Sequence, residues 1–143
     1  MSVEDLKALA RRFFEEWNKG KAAAMDAMDE FYAADFVMHD ATGKDIHLKD
    51  LKQSESEVFN AFPDVHLTID DIIVEDDKAA ARWTFTGTFK REFLGIPPTN
   101  KKLTMWALSI YCIAKGKFAE GWERYDTLSF MQQLGVVPPP KEK

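Results

Sequence analysis

The stretch that decides the fold is LTMWALSIYCIA, residues 103–114, with the turn Lys115-Gly116 and the run KFAEGWERYD, residues 117–126, behind it. Side chains alternate along a strand. Met105, Ala107 and Tyr111 therefore fall on one side of the first run, and Trp106, Leu108, Ile110 and Cys112 on the other. Both sides are apolar, so both need cover. Lys115-Gly116 turns the chain into a second strand that ends at Asp126. A helical pattern from Thr127 to Leu134 starts there and stops at Gly135.

Period two extends upstream of this hairpin. Val65, Leu67 and Ile69 alternate, and Ile72 and Val74 then take the opposite parity. A one-residue slip at Asp70-Asp71 is what a β-bulge produces, and bulges curve sheets. Asp76-Asp77-Lys78 reads as a hairpin turn. Ala79, Ala81, Trp83, Phe85 and Phe89 form one face of the next strand. Together these runs predict a four-strand antiparallel meander.

The N-terminal half has helical period instead. Ser2 and Asp5 form an N-cap pair, and Val3, Leu6, Ala10, Phe13, Phe14 and Trp17 recur at helical spacing up to Gly20. A second helix is predicted over residues 21–33 and a third over 48–62, where Leu51, Val58, Phe59 and Phe62 face inward and Pro63 stops the helix. Asp35 to Asp40 reads as a short strand or extended turn. Helices grouped ahead of strands predict an α+β domain: three N-terminal helices on a strongly curved antiparallel sheet, then a short C-terminal helix. Helices laid across a concave sheet can leave an apolar internal pocket at one end. One domain over residues 1–143 is expected, with a loose tail at 136–143.

Composition narrows the function classes. The chain has 143 residues, 45% hydrophobic and 30% charged, ordinary values for a globular protein. Its net charge of −5, with no basic cluster beyond Arg11-Arg12 or Lys101-Lys102, argues against nucleic acid as a partner. No apolar run reaches the ~20 residues of a membrane span. A single Cys cannot form an internal disulfide, and the N-terminus does not resemble a signal peptide, so a cytoplasmic location is expected. Three His at 39, 47 and 66 lack the spacing of a metal site, and no nucleotide or phosphate fingerprint appears. No metal is therefore expected.

The chemistry-bearing positions follow from the same parity. Asp126 shares the strand side of Trp122 and Arg124. If that side looks into a cavity, Asp126 is an acid or base among aromatic walls, where burial raises a carboxyl's pKa. Asp is also a preferred N-cap, and the helix after it begins at once. Arg124 either pairs with Asp126 or reaches solvent. His39 is a proton carrier or a structural His held by a nearby carboxylate. Phe14, Trp17, Phe59, Trp83, Phe89 and Trp122 are the aromatic residues expected around a flat, apolar ligand, with ordinary core as the alternative.

Several segments, in order, resemble one family. They are Phe31-Tyr32, Asp35-Phe-Val-x-His39, Phe62-Pro-Asp64, Ala81-Arg-Trp83, Gly87-Thr88, Phe93-Leu-Gly-Ile-Pro-Pro-Thr99, Gly116-Lys117, Glu120, Trp122, Asp126 and Gln133-Leu-Gly135. The chain resembles the SnoaL-like polyketide cyclase branch of the nuclear transport factor 2-like superfamily. That resemblance implies a cone-shaped α+β fold with an internal pocket, a homodimer and no cofactor. It implies ring closure by intramolecular aldol condensation, with the acid/base at Asp126 and a hydrophobic ketone-bearing ligand. Relatives of the fold include isomerases, dehydratases and binding proteins. Phe89 stands where the family often has His, and no His occurs between Lys101 and Ala114. These departures motivate the alternative of a non-catalytic binding protein or a structural dimer module. The dimer face would be one apolar side of the 103–114 strand.

Overall fold

The computed structural model describes residues 1–141. Its elements are α1 (Val3–Trp17), α2 (Lys21–Phe31), β1 (Tyr32–His39), β2 (Asp45–His47), α3 (Leu48–Ala61), β3 (His66–Glu75), β4 (Lys78–Thr88), β5 (Lys102–Ala114), β6 (Lys117–Tyr125) and α4 (Thr127–Leu134). Residues 136–141 form neither helix nor strand, and the last two residues of the expected tail lie outside the described residues.

The capping box at Ser2 is formed in both directions. The Asp5 N–H donates to Ser2 Oγ at 3.1 Å, and the Ser2 N–H donates to the Asp5 carboxylate at 3.0 Å. Leu6, Leu9, Ala10, Phe13, Phe14 and Trp17 of α1 are all buried. Each large side chain among them contributes about 1.5–3 kcal/mol by leaving water, which is why this stripe holds α1 on the sheet. The second helix ends earlier than its spacing suggests. Tyr32 is extended and begins β1, because its buried ring packs on Phe36 of the same strand at 4.5 Å rather than on a helical neighbour.

The helices cover one face of a six-stranded sheet of order β2-β1-β6-β5-β4-β3. The predicted meander β3 to β6 is present and antiparallel. The sheet is extended by β1, which joins β6 in parallel, and by β2, which pairs antiparallel to β1. Gly121 makes the β1–β6 junction close: a Cβ there would meet Phe36, Met38 and Tyr111 at 3.2 Å.

The sheet is shaped by a register shift in β1 between Tyr32 and Val37 and by two bulges. The slip expected at Asp70 is there: Ile69 pairs with Trp83 and Asp71 with Arg82, which leaves Asp70 over. A second lies in β6. Ile113 pairs with Phe118 but Cys112 with Glu120, so Ala119 is the extra residue. One extra residue reverses which face every later side chain takes. Gly121 and Glu123 therefore join the buried odd face of β5 (Leu103, Met105, Ala107, Ser109, Tyr111, Ile113), and Trp122 and Arg124 turn outward.

Candidate functional site

Glu123 stands directly across from Ser109 in the β5–β6 ladder. Ser109 is the one polar residue fully buried among the described residues, and its Oγ accepts the Trp83 indole N–H at 2.9 Å. Next along β5 is Tyr111, buried and hydrogen-bonded to the Tyr32 hydroxyl. Burial pushes both phenols upward, and the negative charge of Glu123 adds to it. Glu123 itself keeps some accessible surface, so it lines the interior without being sealed in it. Burial, then the charges of Glu55 and Asp40, raise its carboxyl to about 8.

Glu55 is the second inward carboxyl. It lies on α3 four residues after Leu51 and four before Phe59, on the stripe that faces the sheet. The Trp17 indole N–H donates to its carboxylate, and the Trp17 ring packs on Phe59 at 4.3 Å. Burial raises Glu55 to about 7 against the opposing pull of that indole donor. Glu55 also keeps some accessible surface. Phe14 lies edge-on to Trp83 at 6.2 Å.

The protein comparisons agree with this architecture. The family model for the SnoaL-like polyketide cyclases matches residues 7–134. The chain belongs to the SnoaL-like polyketide cyclase family. Among solved structures it is similar to AclR from Streptomyces galilaeus, provisionally assigned as a hydroxylase, with a TM-score of 0.90 and 24% identity over 99% of this chain and 87% of that one. TsrD from Streptomyces laurentii matches at 0.82 with 26% identity over 96% and 99%. IdmH from Streptomyces antibioticus, provisionally assigned as a polyketide cyclase, matches at 0.79 with 26% identity over 92% and 99%. No curated protein matches.

In this SnoaL-like chain the residues singled out from sequence fall into three places. Trp17 bonds Glu55 and packs on Phe59, and Phe14 lies edge-on to Trp83, which bonds the Ser109 opposite Glu123. Phe89 is buried but belongs to another aromatic cluster, stacked on Phe62 at 5.3 Å beside Phe93 and Phe130. Asp126, His39, Trp122 and Arg124 lie outside the interior. Asp126 is exposed and caps α4, accepting the Ser129 N–H at 3.0 Å. It does share a side with Trp122, as parity requires, but the Ala119 bulge makes that the outer side. Arg124 does not pair with Asp126; its guanidinium donates to the carbonyls of Asp40 at 2.9 Å and Glu123 at 2.7 Å. His39 is clamped between Asp45 at 2.6 Å and Glu120 at 2.7 Å and stacks on Trp122 at 5.3 Å. The hydrogen bonds to Glu120 and Asp45 raise its pKa and favour the imidazolium.

Grooves open on the surface formed by the described residues. One of about 470 Å³ is lined by Met25, Asp29, Leu48, Lys52 and Gln53, among others, and one of about 460 Å³ by Pro63, Asp64, Lys90 and Arg91. Neither has Trp83 or Trp122 in its wall, so neither is the aromatic pocket expected from sequence. No helix among the described residues is long and apolar enough to cross a membrane.

These shifts set the sign of the pH dependence. Glu55, Glu123 and His39 all bind a proton more tightly in the folded chain than in the unfolded one. Their contribution to stability is full below the unfolded values and is lost as pH rises through the folded ones. Carboxyls that are lowered, such as Asp5 with its Ser2 hydrogen bonds, act only at more acid pH. Thermal melts are therefore expected to show Tm falling between about pH 5 and pH 8. A Tm that rises across that window would contradict these environments.

Proposed function

We propose that this SnoaL-like protein is an acid–base enzyme of the cyclase or isomerase type, acting on a hydrophobic, ketone-bearing small molecule, with Glu123 exchanging the proton. The observation that carries this reading is the position of Glu123: an inward carboxyl opposite buried Ser109, among aromatic side chains, with a pKa raised to about 8. A carboxyl tuned toward neutrality is suited to general acid–base work. Asp126, as an exposed helix cap, lacks that setting. The test is incorporation of deuterium next to the carbonyl of neutral polycyclic ketones in D₂O, followed by mass spectrometry. Uptake above the buffer rate supports the reading. Ligand binding without uptake would turn it into the binding-protein alternative, which the lack of any His on the inner face of β5 favours.

We also propose that the chain pairs with a second copy through the outer face of the sheet. Trp106, Leu108 and Ile110 of β5 are exposed there, at 67%, 57% and 41%. Leu108 stands between Arg82 of β4 and Arg124 of β6. An apolar row of this kind is a usual signature of an interface. Light scattering is expected to give twice the chain mass, and Leu108→Arg to give the single-chain mass, because it adds a third cation to the centre of the face. A wild-type monomer at micromolar concentration would overturn this.

A further inference from the structure

The reading above uses one inward carboxyl; the interior holds two. Glu55 comes from α3 on the helical side and Glu123 from β6 on the sheet side. The Tyr32–Tyr111 pair feels the charge of both. Their immediate partners differ in kind. Glu55 receives the Trp17 indole N–H, a donor that bonds a carboxylate more strongly than a neutral acid. Glu123 has no such indole donor among the described residues, and the Ser109 hydroxyl opposite it accepts from Trp83 and bonds Tyr111.

We propose that Glu55 is the general base and Glu123 the general acid of one paired proton transfer on a neutral ketone, with Trp17 positioning Glu55. This rests on the proton-transfer reading and adds a second catalytic carboxyl to it. The Glu55 carboxylate removes a proton from the carbon beside the ketone. The C–H bonding pair becomes the enol double bond, the carbonyl π pair moves to oxygen, and the Glu123 acid gives that oxygen its proton. Glu55 is then neutral and Glu123 ionised. The enol either returns to a ketone by reversing the transfers, at the same carbon or, where a C=C of the substrate is conjugated with it, at the far end of that double bond, or closes a ring. In ring closure the enol carbon bonds to a second carbonyl carbon of the same molecule. The enol O–H proton returns to Glu123, the Glu55 proton goes to the new alkoxide, and both side chains recover their starting states.

Two further observations agree with this division. The indole donor pulls Glu55 downward against its burial, and the charge of Glu55 is one cause of the rise at Glu123. Two raised carboxyls with unlike partners are the arrangement that offers an acid and a base together. The pair also selects its substrate. A ligand carrying its own carboxylate at the reacting end would meet like charge in a desolvated site, so the substrate class is a ketone that is neutral there.

The experiment is α-deuterium uptake by a flat neutral ketone, 2-tetralone, across a pD series. Wild-type, Glu55→Gln, Glu123→Gln and Trp17→Phe are compared, with melting temperature as a folding control. Glu55→Gln is expected to lose at least about 10²-fold in exchange, the scale of a missing general base. Trp17→Phe keeps a ring against Phe59 but removes the N–H. Glu55 then becomes harder to ionise, and the acid limb of the profile moves to higher pD. If Glu123→Gln is inactive while Glu55→Gln exchanges at the wild-type rate, this inference falls and the proton-transfer reading stands. If the wild type exchanges nothing, both fall. If Glu55→Gln does not fold, Trp17→Phe decides: a shifted acid limb supports Glu55 as the base, and an unmoved limb overturns it.

Discussion

Glu123→Gln is expected to lower turnover by about 10²–10⁴-fold, the usual scale for losing a general acid or base, while the fold persists. Gln matches Glu in shape and keeps a polar group opposite Ser109. It cannot ionise, so it also removes one source of instability at high pH. The melting temperature of the variant should match wild type at about pH 4 and exceed it increasingly up to about pH 8 and above, because a carboxyl raised to about 8 in the folded chain costs stability once pH passes its unfolded value. A fall in rate together with a rise in alkaline stability is what an active-site carboxyl produces; a packing defect would lower both. Asp126→Asn is the control. It keeps the cap that accepts the Ser129 N–H and should leave turnover near the wild-type level. Full activity in Glu123→Gln with loss in Asp126→Asn would return the chemistry to the outer side of the sheet.

Phe118→Ala is expected to be the most damaging single truncation for stability. Phe118 is fully buried and touches three aromatic rings: Phe13 at 5.6 Å, Tyr32 at 5.2 Å and Tyr111 at 4.6 Å. It therefore joins α1, β1, β5 and β6 at one point. Removing such a ring costs about 3–5 kcal/mol, part from lost burial and part from the cavity left behind. At roughly 3 °C per kcal/mol for a domain of this size, the Tm should drop by about 10 °C or more. The loss would also release the Tyr32–Tyr111 pair next to Glu123, so any residual folded protein should bind ligand more weakly. A drop of only a degree or two would mean that the β1–β6 junction rests on other contacts.

Much of the fold was legible because periodicity reports burial directly. The α1 stripe, the meander and the parity slip at Asp70 each appear in the sequence as a pattern of apolar residues. The capping box at Ser2 is a local signal and was equally clear. Asn100 adopts a φ of 60°, which Asn tolerates. The parallel pairing of β1 with β6 was not legible. It joins segments some 80 residues apart, and no local pattern encodes it.

The site was harder to read for one physical reason. Counting residues back from the Lys115-Gly116 turn as a regular hairpin puts Trp122 opposite Ser109. The extra residue Ala119 puts Glu123 there instead, and nothing apolar marks that bulge. That places Asp126, Trp122 and Arg124 on the outer side, and of the two readings open for Asp126 the helix cap is the one formed. Glu55 did carry a signal. It sits on the line Leu51, Glu55, Phe59 of an amphipathic helix, and a charged residue on a buried stripe needs a partner or a function. Trp17 supplies the partner.

The claim that the interior holds a proton-sharing carboxyl pair is tested most directly by carbon-13 NMR titration of the glutamate carboxyls in the resting protein. Two midpoints are expected far from the ordinary range, Glu55 near about 7 and Glu123 near about 8. Midpoints for both near the reference value of about 4.3 would show solvated carboxylates and contradict the pair.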